Sequence, residues 1–156
     1  MVKSNSIDIT LEPIGIVRNE VLESGERSWK AIVSEIEIKE SLLPALKGIE
    51  DFSHIIVLYW MHRVSPERRS LTQVHPRGRQ DLPLTGVFAT RSPARPNPIG
   101  VAMVSLLECR GNVLRVQGLD ALDGSPVLDI KPYLPEYDST PEARVAWWVG
   151  QSEASS

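Results

Sequence analysis

Four side chains on one short stretch have the chemistry to hold an anion. Arg91, Ser92, Arg95 and Asn97 all lie in Gly86-Val-Phe-Ala-Thr-Arg-Ser-Pro-Ala-Arg-Pro-Asn-Pro-Ile-Gly100. A guanidinium offers a fork of donors that matches a carboxylate or phosphate, and hydroxyl and amide groups add neutral donors. Pro93, Pro96 and Pro98 fix φ and remove backbone donors, and each pushes the preceding residue toward extended geometry. The expectation is a stiff, extended ribbon, framed by an apolar strand before it and Gly100 after it. Side chains on such a backbone lose little entropy on gripping a ligand. The alternative is a surface loop whose arginines are only solvated.

Two other places bear chemistry. His62-Arg63 puts an imidazole and a guanidinium where an apolar run ends, a common binding position, although a lone histidine there is also a common structural residue. Gly118-Leu119-Asp120-Ala121-Leu122-Asp123-Gly124-Ser125-Pro126 carries two carboxylates; Asp-Gly followed by Pro is also turn chemistry. Asp120 is placed to accept hydrogen bonds from a ligand hydroxyl or amine.

Composition limits the function classes. The chain has 156 residues and a net charge of −3, which argues against a general nucleic-acid binder. The charge is uneven. Between Arg63 and Arg95 seven arginines face only Glu67 and Asp81, a net of +5 that leaves −8 for the remainder. That segment reads either as a solvated basic loop or as an anion-gripping surface. The single cysteine, Cys109, permits no internal disulfide, and the first residues lack the apolar core of a signal peptide, so a cytoplasmic protein is expected. No apolar run reaches membrane-spanning length, which predicts no membrane association. His54, His62 and His75 stand on separate features with no cysteine partners, so no metal site is expected. Glycine-rich nucleotide-binding motifs and the G-x-S-x-G elbow do not occur.

The elements that must position these groups are mostly strands. Ile7, Ile9 and Leu11 alternate with polar residues, as do Ile36 and Ile38, the pattern of half-buried strands. Phe52 to Met61 reads as a strand buried on both faces, and Gly86 to Thr90 as a short strand. Val101 to Glu108 and Val113 to Gln117 flank a glycine-containing turn, a hairpin signal, and Val127 to Tyr133 closes the series. Only Ser41 to Lys47 reads as helical, capped by Ser41 and ended near Gly48. The fold class is therefore all-β, with a short helix and proline-rich loops, either a small β-barrel or a sandwich. The tail Gln151 to Ser156 reads as disordered.

Three segments together carry a family resemblance: Gly48-Ile-Glu-Asp-Phe-Ser-His54, the Gly86–Gly100 stretch, and Leu119-Asp-Ala-Leu-Asp-Gly-Ser-Pro-Val-Leu-Asp-Ile-Lys-Pro-Tyr133. From about Ile14 to Asp138 the sequence resembles the TsaA-like (TrmO) family. The resemblance implies a single β-barrel domain over residues 1–140, with 141–156 as a C-terminal extension, and a homodimer. It implies a methyltransferase that uses S-adenosylmethionine to modify N6 of threonylcarbamoyladenosine at tRNA position 37. Carried over residue by residue, it places Arg91, His62, Arg63, Val101, Gly118, Leu119 and Asp120 against the cofactor, with Gly118 allowing close backbone approach. Arg95 and Asn97 are the expected substrate contacts, and Asp120, Asp123 and His62 are the candidates to take the proton that N6 loses, with nothing in the sequence to choose among them.

The chain departs from the family where members often carry Pro-Arg-Gln before the second strand. Here that region reads Glu23-Ser-Gly-Glu-Arg-Ser-Trp-Lys30, with Arg27 or Trp29 as substitutes. The competing readings are a methyltransferase of a small molecule or another nucleobase, and a non-catalytic RNA-binding module.

Overall fold

The computed structural model describes residues 7–23, 25 and 27–151. They fall into two compact units. One comprises the chain up to Arg63 together with Ile99–Pro132; the other comprises Val64–Pro98 and the residues from Tyr133 onward.

Eight strands form: β1 (Gly15–Arg18), β2 (Val33–Ile38), β3 (His54–Trp60), β4 (Gln73–Val74), β5 (Thr85–Gly86), β6 (Ile99–Arg110), β7 (Val113–Gln117) and β8 (Pro126–Pro132). Six of them close into an antiparallel barrel in the order β1-β2-β7-β6-β3-β8, so the fold is the expected small β-barrel and not a sandwich. The period-two pattern decides which side faces in. Ser34, Ile36 and Ile38 of β2 are buried while Val33, Glu35 and Glu37 are exposed. Ile55, Val57 and Tyr59 of β3 point into a core shared with Val17, Val104, Leu114, Val116 and Val127. Burying each such side chain contributes roughly 1.5–3 kcal/mol. Closure leaves no unpaired sheet edge in the barrel.

The hairpin expected around Arg110-Gly-Asn112 is present, with Gly111 at φ 58° making the turn between β6 and β7. Other expectations need correction. Ile7, Ile9 and Leu11 form no strand and are exposed, because alternation alone cannot hold a strand without an edge to pair with. β3 is fully buried on one face only; Ile56, Leu58 and Trp60 on the other are half-buried. The helical stretch is 3-10, Glu40–Leu46, with Pro44 inside it and no side-chain cap; Gly48 at φ 91° turns the chain after it. Of the strand expected at Gly86 to Thr90 only Gly86 is paired, and Val87–Ala89 is a 3-10 turn. Of the tail expected to be disordered, residues 152–156 lie outside the described residues.

The second unit holds the one-turn helix Pro66–Arg69, the β4–β5 hairpin and the proline-arginine segment, with Pro76, Leu82, Val87, Ala94 and Pro98 buried. The segment is not an extended ribbon but a loop bonded to itself. Thr90 Oγ1 donates to the Val87 carbonyl at 2.9 Å and accepts from the Ser92 amide, and Ser92 Oγ accepts from the Ala94 amide. Prolines leave backbone carbonyls without ladder partners, and arginines take them. Arg95 Nη1 donates to the carbonyls of Thr90 and Ser92 at 3.2 and 3.1 Å, and Arg69 Nε donates to that of Pro96. Among the described residues no helix is long and apolar enough to cross a membrane.

Candidate functional site

On the barrel, Gly118, Leu119 and Asp120 lie in the loop between β7 and β8, and His62 stands beside the end of that loop. Leu119 and Ala121 of that loop are buried in the core, which turns the intervening Asp120 outward. The Tyr59 hydroxyl, at an inward position of β3, donates to Asp120 Oδ1 at 2.8 Å and lies 3.1 Å from the Asp120 carbonyl. Burial, then the neighbouring Asp120 carboxylate, pushes the phenol far above its ordinary value, so it remains a donor throughout the accessible pH range. Among the described residues Asp120 Oδ2 has no hydrogen-bond partner. The result is a carboxylate fixed in direction and still able to accept.

Gly100, the last residue of the proline-arginine motif, explains how Tyr59 fits. The two residues are paired across β3 and β6, and a Cβ on Gly100 would lie inside the tyrosine ring. Gly118 has a different reason. Its φ of 94° is one that side chains rarely adopt, and the space where a Cβ would point is open, so conformation and not close protein approach requires the glycine.

Asn19 pins the same loop from the other side. Its Nδ2 donates to Ser34 Oγ at 3.0 Å and to the Ala121 carbonyl at 2.9 Å, and its Oδ1 accepts from the Val21 amide. Its own amide donates to Asp123 Oδ1 at 2.9 Å, so Asp123 has one oxygen committed to the backbone. His62 lies beside Gly124, with Nδ1 3.4 Å from Ser125 Oγ and Nε2 3.8 Å from where a Gly124 Cβ would stand. Burial, followed by the charge of Arg63, lowers its pKa below the ordinary 6.5, against an opposing pull from Asp123. Burial and Arg63 both favour the neutral imidazole.

The remaining expected residues are placed as follows. Arg63 is exposed; Val101 is exposed on the outward face of β6, opposite Leu58; the Leu119 side chain is wholly in the core and is not open to a ligand. In the second unit, Arg91 is exposed and lines a cleft of about 1050 Å³. Arg95 braces its own loop, and Asn97 is exposed. In the divergent stretch, Arg27 stacks over Trp29 at 5.5 Å from the ring centroid, a cation–π contact. Tyr59 and Asn19 are absent from the sequence-based site. A tyrosine at an inward strand position needs a polar partner, which was a usable signal for the first; the second left none.

The tRNA-methyltransferase O N-terminal domain family matches residues 24–139. The chain belongs to that family. It is 47% identical over 139 residues to a Methanothermobacter thermautotrophicus protein named as a probable S-adenosyl-L-methionine-binding protein, covering 86% of this chain and 97% of the relative. It is 43% identical over 95 residues to the mouse tRNA (adenine(37)-N6)-methyltransferase, covering 61% of this chain and 22% of the mouse protein. The crystal structure of TrmO from Pseudomonas aeruginosa superposes with a TM-score of 0.69 at 34% identity, over 87% of this chain. The family member described here spans 60% of that solved chain's length.

Proposed function

We propose that this protein is an S-adenosylmethionine-dependent methyltransferase that modifies N6 of adenosine at tRNA position 37, with threonylcarbamoyladenosine as the nucleoside. The observation that carries the reading is the Asp120 carboxylate, held by Tyr59 at 2.8 Å beside the open space at Gly118. The residues present fit the cofactor. A fixed carboxylate accepts from hydroxyl or ammonium groups, and Arg91, exposed, matches a carboxylate. When bound, S-adenosylmethionine supplies a methyl carbon on a sulfonium, which forms a bond to nitrogen as its bond to sulfur breaks and a neutral thioether leaves.

The chain's own residues would bind, align and accept a proton. His62, Arg63, Val101, Gly118, Leu119, Asp120 and Arg91 are assigned to the cofactor by their match to the family. Arg95 and exposed Asn97 are assigned to substrate by their place on the same loop as Arg91. Alignment of nucleophile with methyl carbon is the main source of rate in such a displacement. The proton lost from N6 needs an acceptor. His62 Nε2 and the second oxygen of each carboxylate are the candidates, since Tyr59 takes Asp120 Oδ1 and the Asn19 amide takes Asp123 Oδ1.

A homodimer fits the outer barrel face. Ile56, Leu58 and Trp60 of β3 stand opposite Met103, Val101 and Ile99 of β6, an apolar patch on which the three β6 residues are 38–55% exposed. Contiguous exposed apolar area of this kind marks association surfaces. Size measurement of the wild type beside Met103→Asp tests it: a wild-type dimer that becomes a monomer in the variant supports the dimer on this face, and a monomeric wild type or an unchanged dimer in the variant rejects it. The single cysteine supports a cytoplasmic setting.

The deciding experiment is calorimetric titration with S-adenosylmethionine beside Arg91→Ala, followed by methylation of tRNA isolated from a strain lacking the protein. Binding lost in the variant and methyl transfer to position 37 are expected. Binding without transfer to tRNA favours a small-molecule or other nucleobase substrate; RNA binding with no cofactor affinity favours the non-catalytic module.

A further inference from the structure

The cleft of the second unit has a composition that the cofactor does not account for. Among the described residues Arg68, Arg77 and Arg91 line it together with His75, Phe88 and Trp148, and no carboxylate does. Among the described residues the guanidinium groups of Arg68 and Arg91 have no hydrogen-bond or ion-pair partner. Three guanidinium groups, only one of them assigned to the cofactor, give the lining a positive potential that attracts a polyanion. Its volume of about 1050 Å³ is at the top of the range of ~300–1,000 Å³ usual for small-ligand pockets.

One wall lies beyond residue 139, where the family match ends. Val145, Trp148 and Val149 come from this wall. The segment is stitched into turns by the Val149 amide on the Ala146 carbonyl and the Gln151 amide on that of Trp148. Arg77 Nη1 and Arg79 Nη1 both donate to the Gln151 carbonyl, at 3.2 and 3.1 Å, and Gln151 Nε2 donates to the Trp147 carbonyl. Two arginines from the basic segment thus hold the tryptophan-bearing segment in place. Arg77 does so from a left-handed backbone, φ 56°, the one non-glycine residue with positive φ among those described.

We propose that this cleft binds an unpaired nucleotide of the RNA substrate, its base stacked on Trp148 or Phe88 and its phosphate held by Arg68. The proposal rests on the tRNA reading above and deepens it. Aromatic platforms beside guanidinium groups recognise unstacked bases and their backbone, whereas paired RNA hides its bases. Phe88, 81% exposed, and half-buried Trp148 are the two aromatic faces available.

The test uses the full chain, an anticodon stem-loop RNA with an unpaired loop, and a fully paired RNA of equal length. The variants are Trp148→Ala, Trp148→Phe and Arg68→Ala, all leaving Arg91 in place. Trp148→Ala is expected to weaken stem-loop binding about tenfold and leave the paired RNA and S-adenosylmethionine affinities unchanged, with Trp148→Phe restoring most of the loss. Arg68→Ala is expected to weaken binding and reduce the slope of log affinity against log salt by about one. Stem-loop binding unchanged in both alanine variants overturns the proposal, as does loss of cofactor affinity in Trp148→Ala, which would give the cleft to the cofactor. No RNA binding by the wild type at low salt overturns the tRNA reading with it. RNA binding of the expected pattern without cofactor affinity supports the subsite and rejects the methyltransferase.

Discussion

The Tyr59 hydroxyl and the Asp120 carboxylate, 61 positions apart in sequence, meet at 2.8 Å at the mouth of the loop between β7 and β8. The donor is fixed by the core and the acceptor belongs to the surface. A hydrogen bond to a charged group contributes about 1.5–3 kcal/mol when sheltered, and less for the exposed carboxylate of Asp120. Tyr59→Phe keeps the ring and deletes the donor. We expect it to fold, to lower the melting temperature by a few degrees, and to weaken S-adenosylmethionine binding several-fold in a calorimetric titration. In an Asp120→Ala background, which removes the side-chain acceptor, the same substitution should leave cofactor affinity unchanged; additive losses would show that Tyr59 does not act through Asp120.

Gly100→Ala places a methyl group within the Tyr59 ring. Overpacking of a well-filled core typically costs about 1–3 kcal/mol. Urea unfolding should show a loss in that range with an unchanged slope, and the Tyr59 displacement should carry cofactor affinity down with it. A variant of wild-type stability would mean that β3 and β6 separate at little cost.

Asn19→Ala removes two donors and one acceptor from the knot that joins β1, β2 and the Asp120 loop. Ser34, buried, loses its partner from Asn19, and the Val21 amide loses its acceptor. At about 1 kcal/mol net for each lost bond, a destabilisation of about 2–3 kcal/mol is expected. Amide hydrogen exchange should accelerate at residues 119–125 more than at β6 or β7. Uniform acceleration would argue that the knot serves global stability alone.

His62 sets a pH dependence of defined sign. Its folded-state pKa lies below the ordinary 6.5, chiefly through burial and then through Arg63. The unfolded chain therefore binds the proton more readily, and the contribution of neutral His62 is complete above pH 6.5 and lost as pH falls through the folded value. The stability difference between wild type and His62→Asn should be constant above about pH 7 and shift against the wild type below 6.5. Chemical denaturation at a series of pH values measures it; a difference that shifts toward the wild type on acidification would reverse the assigned direction.

Strand identity was legible wherever alternation and pairing agree. Ile36 with Ile38 and the strands of the β6–β7 hairpin read correctly because each buries one face against a neighbour, whereas β3 read as buried on both faces because Ile56, Leu58 and Trp60 are as apolar as its inward residues. The same alternation at Ile7, Ile9 and Leu11 misled, since a pattern does not supply a pairing edge. Val87–Ala89 misled because the Thr90 hydroxyl and amide both bond back to the Val87 carbonyl, a local competition that favours a turn. At the site, Asp120 and His62 stood out as titratable groups among apolar neighbours. Tyr59 and Asn19 did not, because their roles depend on partners 61 and 102 or more positions away, and closure of the barrel alone brings them together.

The paired strands β3 and β6 have a consequence for how this chain can vary. Trp60 and Ile99 are cross-strand partners, so everything from Met61 to Pro98 is topologically the connection of one hairpin. The entropy of closing such a connection grows only with the logarithm of its length, about 0.6 kcal/mol for each doubling. The barrel's strand order is therefore nearly indifferent to what that connection contains. The arginines it carries can be exchanged, lengthened or redirected toward other anions while the frame that fixes Asp120 stays the same, which makes the excursion the natural place for relatives of one architecture to diverge in what they select.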